Sequence, residues 1–279
     1  MTPATAPSLW ADSCHWLQCP DCAQGLAPAD AALACTGCHR TFRVRDGFLD
    51  VMPPLTGNNK VVAEFYDSPN WPKFRFWEWF TFLLNGGERR ARSHIMKHLP
   101  HLAECRLLEV AIGDGANLPL IPPSCEVWGI DISIIQLRGC RQRCPDRPLR
   151  LLLGEAEKLP FRDSMFDHVL SVGAFNYFND PVQSLREMAR VVKPGGRIVV
   201  ADEYPDLPNR LIGHRIGLPQ LDRWVMSRFL HLGPEFTDII DRHRDMKLEP
   251  IVRAVLDDWQ IYSLWHNVGY CIVGQARKG

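Results

Sequence analysis

Beyond residue 105 the chain alternates between short apolar runs and stretches whose apolar positions recur at helical spacing. Leu107–Val110 reads as a first strand, Val127–Ile130 as a second and Leu149–Leu153 as a third. His168–Val172 and Ile198–Ala201 follow as the fourth and fifth. Before the fifth, Asp180-Pro181 opens a helix with an N-cap Asp and Pro at the first helical position. Lys193-Pro194-Gly195-Gly196 closes it. Strand–helix alternation of this kind predicts an α/β fold with a doubly wound, mostly parallel, Rossmann-like sheet. Ligands of such sheets sit outside the carboxyl ends of the strands, at the switch point. Trp259–Trp265 and Tyr270–Ala276 are expected to be a closing strand pair.

The N-terminal pattern is different. Cys19-Pro20-Asp21-Cys22 and Cys35-Thr36-Gly37-Cys38 are two C-x2-C pairs separated by twelve residues, enough for two short strands and a turn. Thr41–Val44 then alternates like a strand and Asp46-Gly47 supplies a turn. Four thiolates on two tight turns complete a tetrahedral zinc shell and leave no open position, so Cys19, Cys22, Cys35 and Cys38 predict a structural zinc ribbon over 14–52. A unit of this size rarely holds together on apolar burial alone. His15 and His39 flank the pairs, but four cysteines already satisfy the metal.

Between these regions, residues 53–104 read as a helical connector, opened by Pro53-Pro54 and Gly57-Asn58-Asn59. Trp71–Phe80 is dense in aromatics, either a helix packing on the main domain or one wall of a cleft, with Tyr66 near the ligand. Arg89, Arg90 and Arg92 read as a solvated helix face rather than a nucleic-acid site.

The residues after the first strand are Glu109-Val110-Ala111-Ile112-Gly113-Asp114-Gly115. Gly113 and Gly115 let the backbone pass close under a ligand, and Asp131, ending the second strand, can accept ribose hydroxyls. A dinucleotide dehydrogenase needs G-x-G-x-x-G. Counted from Gly113 its third glycine falls on Leu118, and counted from Ala111 its first is missing, which argues against that chemistry.

The same stretch resembles motif I of class I methyltransferases, acidic-x-G-x-G-x-G, with Ala111 in the first glycine position. Gly154-Glu155-Ala156-Glu157-Lys158-Leu159-Pro160-Phe161 resembles the family's G-D-A-E-x-L-P-F stretch, with Glu155 where Asp is more usual. Phe166–Ser171 and Leu185–Arg197 resemble its later motifs, closest to the ubiquinone/menaquinone methyltransferase branch. The resemblance covers roughly 105–203 and implies S-adenosylmethionine as cofactor. It implies that Glu109, Ala111, Gly113 and Gly115 hold the methionine end and that Asp131, with Ile132 beside it, holds the ribose. Glu155 and Ala156 would face the adenine, and Ser171 and Val172 would line the cleft. The ribbon resembles a zinc-ribbon family that activates methyltransferases, and the layout is similar to 23S rRNA guanine-N1 methyltransferases. Residues 105–279 are thus expected to form the methyltransferase domain, with an insertion at about 205–246.

The fold demands no particular base. Asn176, Tyr177, Asp202, Glu203 and Tyr204 stand at strand ends, and His214 would join them if the insertion closes as a lid. The alternative is that the insertion merely covers the sheet. Composition narrows the acceptor. Lysine plus arginine equals aspartate plus glutamate at 32 each, without the basic excess usual in nucleic-acid binders. Neutral charge, the aromatic connector and the apolar insertion favour a small aromatic, quinone-like or lipid-like acceptor. The ribbon keeps an rRNA base as the alternative, and a non-enzymatic scaffold is a third reading. The N-terminus lacks signal-peptide character and no run is long enough for a membrane span, so a cytoplasmic protein with reduced thiols is expected.

Overall fold

The structure is a computed structural model that describes residues 6–30, 32–83 and 85–277. Helix α1 (Ala6–Ser13) leads into four short strands, β1 (Leu26–Ala29), β2 (Ala32–Cys35), β3 (Thr41–Arg45) and β4 (Phe48–Asp50). Asp46 and Gly47, with φ of 52° and 81°, form the β3–β4 turn. Two positive φ values are what a tight hairpin requires, and Asp-Gly supplies them at little strain. Three helices follow, α2 (Gly57–Tyr66), α3 (Trp71–Leu83) and α4 (Glu88–Met96).

The strand–helix alternation then begins with β5 (Arg106–Val110), β6 (Glu126–Asp131), α5 (Ile134–Arg143), β7 (Arg150–Leu153) and β8 (Phe166–Val172). It continues with α6 (Pro181–Val191) and the long β9 (Val192–Glu203). Asp180 caps α6 by accepting from the Gln183 N–H at 2.9 Å, and Leu185, Met188 and Val191 bury its apolar face. Short helices α7 (Leu207–Arg210), α8 (Ile212–Arg215) and α9 (Pro219–Trp224), a π-helical turn Val225–Phe229, and α10 (Pro234–His243) make up the insertion. Helix α11 (Leu248–Val255) returns the chain to β10 (Leu256–Leu264) and β11 (Gly269–Ala276).

All strands join one sheet in the order β1-β2-β3-β4-β7-β6-β5-β8-β9-β11-β10. The six strands from β4 to β9 are parallel to their neighbours. The closing pair is antiparallel, as are the first three pairings of the ribbon. From β5 the chain builds outward through β6 to β7, then crosses to the other side of β5 for β8 and β9; this reversal between β5 and β8 opens the crevice where ligands bind.

The ribbon is stitched into this sheet rather than tethered beside it. Leu49 and Asp50 pair in parallel with Leu152 and Leu153 of β7. Trp10 of α1 packs edge-on against Trp128 of β6, with ring centroids 6.3 Å apart, and its indole N–H donates to the Gly47 carbonyl at 3.1 Å. Leu17, Leu33 and Phe42 share one buried cluster with Leu108, Trp128 and Phe161. The small unit thus obtains from the larger one an apolar core it is too short to build alone.

Candidate functional site

A cavity of about 550 Å³ lies at the carboxyl ends of β5, β6, β8 and β9, under α2, α3 and the insertion. Its size is that of an ordinary small-ligand site. Three non-extended residues shape the loop after β5: Ala111, Gly113 and Gly115 have φ of 57°, 56° and 74°. Ala111 and Gly113 line the cavity. Gly115 stands behind them, where a Cβ would come within 2.7 Å of Leu118 Cδ1 and 2.8 Å of Cys140 Sγ. The second glycine therefore seats the loop against its own hydrophobic support, while the first leaves room for a ligand.

Two buried carboxylates face this loop. Glu109 Oε1 accepts from Asn117 Nδ2 at 2.6 Å, whereas Oε2 has no hydrogen-bond partner among the described residues. Burial raises the Glu109 pKa to about 7. A carboxylate oxygen shut away from water and left unpaired is costly unless a ligand donates to it. Asp131 accepts from the Ser133 N–H at 2.9 Å through one oxygen and from the Gly113 N–H at 2.8 Å through the other. Each oxygen keeps a second lone pair for a ligand, and burial lifts this carboxyl to about 6.

A chain of polar contacts leads from Glu109 to the aromatic helix. Arg92 donates to Asn117 Oδ1 at 3.1 Å and to Glu88 at 2.8 Å. Arg75 on α3 bonds Glu88 at 2.5 Å and Glu78 at 2.6 Å. Arg92 is therefore built into the cavity wall, while Arg89 and Arg90 are exposed. Trp71, Phe74 and Trp77 of α3 also line the cavity, so the aromatic connector contributes a cleft wall.

Tyr66, Ile132, Ala156 and Val172 line the cavity. Glu155 and Ser171 lie outside its lining. Glu155 accepts from Asn59 Nδ2 at 3.4 Å, and Ser171 is fully buried with its Oγ unpaired among the described residues.

Of the strand-end candidates, Asn176, Tyr177, Glu203 and Tyr204 line the cavity. Asn176 is tied to the scaffold: one side-chain N–H donates to the Glu203 carbonyl at 2.6 Å and its Oδ1 accepts from the Tyr270 hydroxyl at 2.9 Å. Burial holds the Tyr177 hydroxyl well above its ordinary range, so it can donate a hydrogen bond but not serve as a phenolate base. Asp202 is buried beneath the site, accepting from the Asn176 and Glu203 backbone N–H groups at 3.0 and 2.9 Å. Its burial, with Glu203 adjoining, raises its pKa well above the carboxylate range.

His214 does not reach the cavity. It is exposed on α8, and its backbone N–H is held by Asp222 at 2.5 Å. The insertion supplies a different histidine, His243, at the end of α10. Its Nδ1–H donates to the Ile239 carbonyl at 2.9 Å, which leaves Nε2 without a partner among the described residues. Phe236, Ile240 and His243 recur at helical spacing and all line the cavity. That periodicity was the available signal for His243, but without a motif around it the inward face could not be told from the outward one.

In the ribbon, the sulfurs of Cys19, Cys22, Cys35 and Cys38 all lie within 4.8 Å of one another. The Cys19–Cys38 and Cys22–Cys35 separations are 3.7 and 3.4 Å. Zinc–sulfur bonds of about 2.3 Å arranged tetrahedrally place sulfurs roughly 3.8 Å apart. The donor set and spacing fit that ion.

Comparison with known proteins agrees with this geometry. Residues 108–200 match the methyltransferase domain family. The demethylmenaquinone methyltransferase of Renibacterium salmoninarum is 35% identical over 118 residues, covering 42% of this chain and 49% of that protein. The ubiquinone/menaquinone biosynthesis C-methyltransferase of Burkholderia mallei is 38% identical over 103 residues, covering 35% and 42%. The chain spans about half the length of these curated relatives. A solved structure from Thermotoga maritima, described as an S-adenosylmethionine-dependent methyltransferase and possible histamine N-methyltransferase, superimposes with a TM-score of 0.51 at 18% identity. That match covers 79% of this chain and 100% of the other. The domain thus has the class I methyltransferase fold. Among the described residues no helix is long and apolar enough to cross a membrane.

Proposed function

We propose that this chain, which carries a class I methyltransferase domain, binds S-adenosylmethionine and methylates a small aromatic or quinone-like acceptor. The unpaired Glu109 Oε2, buried in the wall of a cavity that continues into an aromatic surface, carries this reading. When bound, the cofactor supplies a methyl group already activated on a sulfonium.

The chain's own residues then bind, orient and exclude water. Glu109 Oε2 accepts from the ammonium of the methionine end, and the free lone pairs of Asp131 accept from the ribose hydroxyls. Ala111 and Gly113 present backbone rather than bulk, and Ile132 and Ala156 give the base an apolar bed. Trp71, Phe74, Trp77 and Phe236 line the remaining volume and suit a flat apolar acceptor. The relatives that act in quinone biosynthesis support that acceptor class. Where the acceptor must lose a proton, Glu203 and His243 are candidate lining residues to take it. The four cysteines hold a structural zinc that fixes the ribbon against β7.

Calorimetry with S-adenosylmethionine and its demethylated product tests the first step, with binding to one site per chain expected. Labelled cofactor, purified protein and a cell extract test the second, with label expected in the organic-soluble metabolite fraction. Label appearing only in added rRNA would refute the acceptor assignment. Metal analysis should return one zinc per chain, lost together with ribbon folding when Cys19 or Cys35 is replaced by Ser.

A further inference from the structure

We propose that the insertion carries a docking surface for an anionic lipid bilayer, formed by the outer face of α8, α9 and the π-helical turn. Ile216, Leu218, Leu221 and Trp224 are 61%, 54%, 47% and 59% exposed. Single exposed apolar residues are ordinary, but four within nine residues of chain form a patch. Leu218, Leu221 and Trp224 recur at three-residue spacing, which places them along one side of the α9 turn, and Arg228 extends the row by one turn. Gly217, with φ of 76°, makes the bend that presents Ile216 and Leu218 together at the tip.

Charge selects the occupant. Residues 207–231 carry Arg210, Arg215, Arg223 and Arg228 against Asp222 alone, in a chain whose formal net charge is zero. Arg223 is paired with Asp238 and Asp241 of α10, and Arg210 with Asp206, so the cations the patch offers a partner are Arg215 and Arg228, both exposed beside the apolar row. Trp and Leu side chains flanked by arginines are the composition of an interfacial helix that sinks into the headgroup layer of an acidic membrane. The position of the patch gives it a use. Leu211, Met226 and Leu230, from the same segment, line the cavity. Met226, two residues beyond Trp224, points to the opposite side of the turn and is buried there. One short segment therefore separates the cavity from the surface. On the proposed methyl-transfer reading it would admit an acceptor dissolved in the bilayer, although membrane docking itself does not depend on that reading.

Vesicle co-sedimentation of the full chain tests this without any assay of methyl transfer. Vesicles of phosphatidylcholine containing phosphatidylglycerol should retain the protein, and vesicles of phosphatidylcholine alone should retain much less. High salt should weaken the retention. Leu218→Ser with Trp224→Ser should lower partitioning at least about tenfold, because withdrawing even one large apolar side chain from a buried setting costs that much. Arg215→Gln with Arg228→Gln should lower it on acidic vesicles only. Both pairs are exposed, and an unchanged cofactor affinity confirms that the variants are folded. Equal retention on both vesicle types, or retention indifferent to the Ser pair, would overturn the proposal. So would a concentration-dependent dimer that the Ser pair abolishes, because the patch would then face a second copy of the chain.

Discussion

At the ends of β5 and β6 the cavity wall is shaped by main chain and buried carboxylates, whereas the part contributed by α2, α3 and α10 is mainly aromatic and aliphatic side chain, with Asn59, Arg75, Glu78 and His243 among it. The first wall takes its shape from backbone conformation: positive φ at Ala111 and Gly113, and two N–H groups clamped by Asp131. The second takes its shape from rings packed edge-on or tilted against one another, as Phe65 meets Trp71, Phe74 and Phe236 at centroid distances of 6.1, 5.9 and 4.8 Å. A wall of the first kind tolerates few sequences, because each position answers to one steric or hydrogen-bonding demand. A wall of the second kind needs only volume and apolarity, so it can be rebuilt around a different acceptor while the cofactor side stays as it is.

If the two walls serve different molecules, substitutions should separate their effects. The largest separation is expected at Glu109. Glu109→Gln keeps the bond from Asn117 but sets an amide N–H where the unpaired Oε2 now stands, opposite an ammonium. Cofactor affinity should fall about 100-fold by calorimetry, the scale of a lost charged hydrogen bond, with stability held or raised. The pH dependence follows the same group. Burial holds its pKa at about 7, against an ordinary value of 4.5. In the free chain this lowers stability as pH rises from about 4.5 to about 7, because the folded state retains the proton longer than the unfolded one. The cofactor's ammonium favours the ionised form, so affinity should drop about tenfold for each pH unit below about 7. In Glu109→Gln that slope should disappear. A mutant that keeps the slope would assign it to Asp131, whose carboxyl is held at about 6.

The opposite wall should answer to Phe74→Ala. We expect acceptor KM to rise about tenfold, as one ring's apolar contact is withdrawn, with cofactor affinity unchanged within twofold. Equal losses in both would mean that the aromatic helix acts on the cofactor through Arg75, Glu88 and Arg92, and that the two walls are one unit.

The same contrast explains what was legible in the chain. Strand positions, the Glu109–Gly115 loop and the Asp131 carboxylate could be read because strand alternation and backbone strain restrict residue type. The cysteine pairs could be read because a tetrahedral ion fixes ligand number and spacing. Their sulfurs do converge. Glu155 is legible from its motif position; it lies outside the cavity lining, and its carboxylate accepts from Asn59, which is a lining residue. His214 was chosen as the histidine of the apolar insertion, but Asp222 ties down the α8 backbone on the exposed side. His243 carried no local signature and is brought in only by the orientation of α10. The pairing of β4 with β7 was equally silent, because it depends on how two distant segments meet.

The smallest expected effect lies at Ala111, and it bears on whether the cofactor wall is strained. The family pattern has glycine here, and the loop still requires a φ of 57°. An alanine in that region costs about 1–2 kcal/mol relative to its relaxed conformations, and the clamped N–H of Gly113 keeps the loop from relaxing away. Ala111→Gly should therefore stabilise the protein by ~1 kcal/mol in chemical denaturation, the relief of strain being partly offset by the greater freedom of glycine when unfolded. Cofactor affinity should change by less than about threefold, because a methyl group lining the cavity already fits there. If stability were to fall instead, the methyl group would be a packing element of the cavity wall. The backbone-built wall would then depend on side-chain volume in the same way as the aromatic wall, and the distinction between the two would be lost at this position.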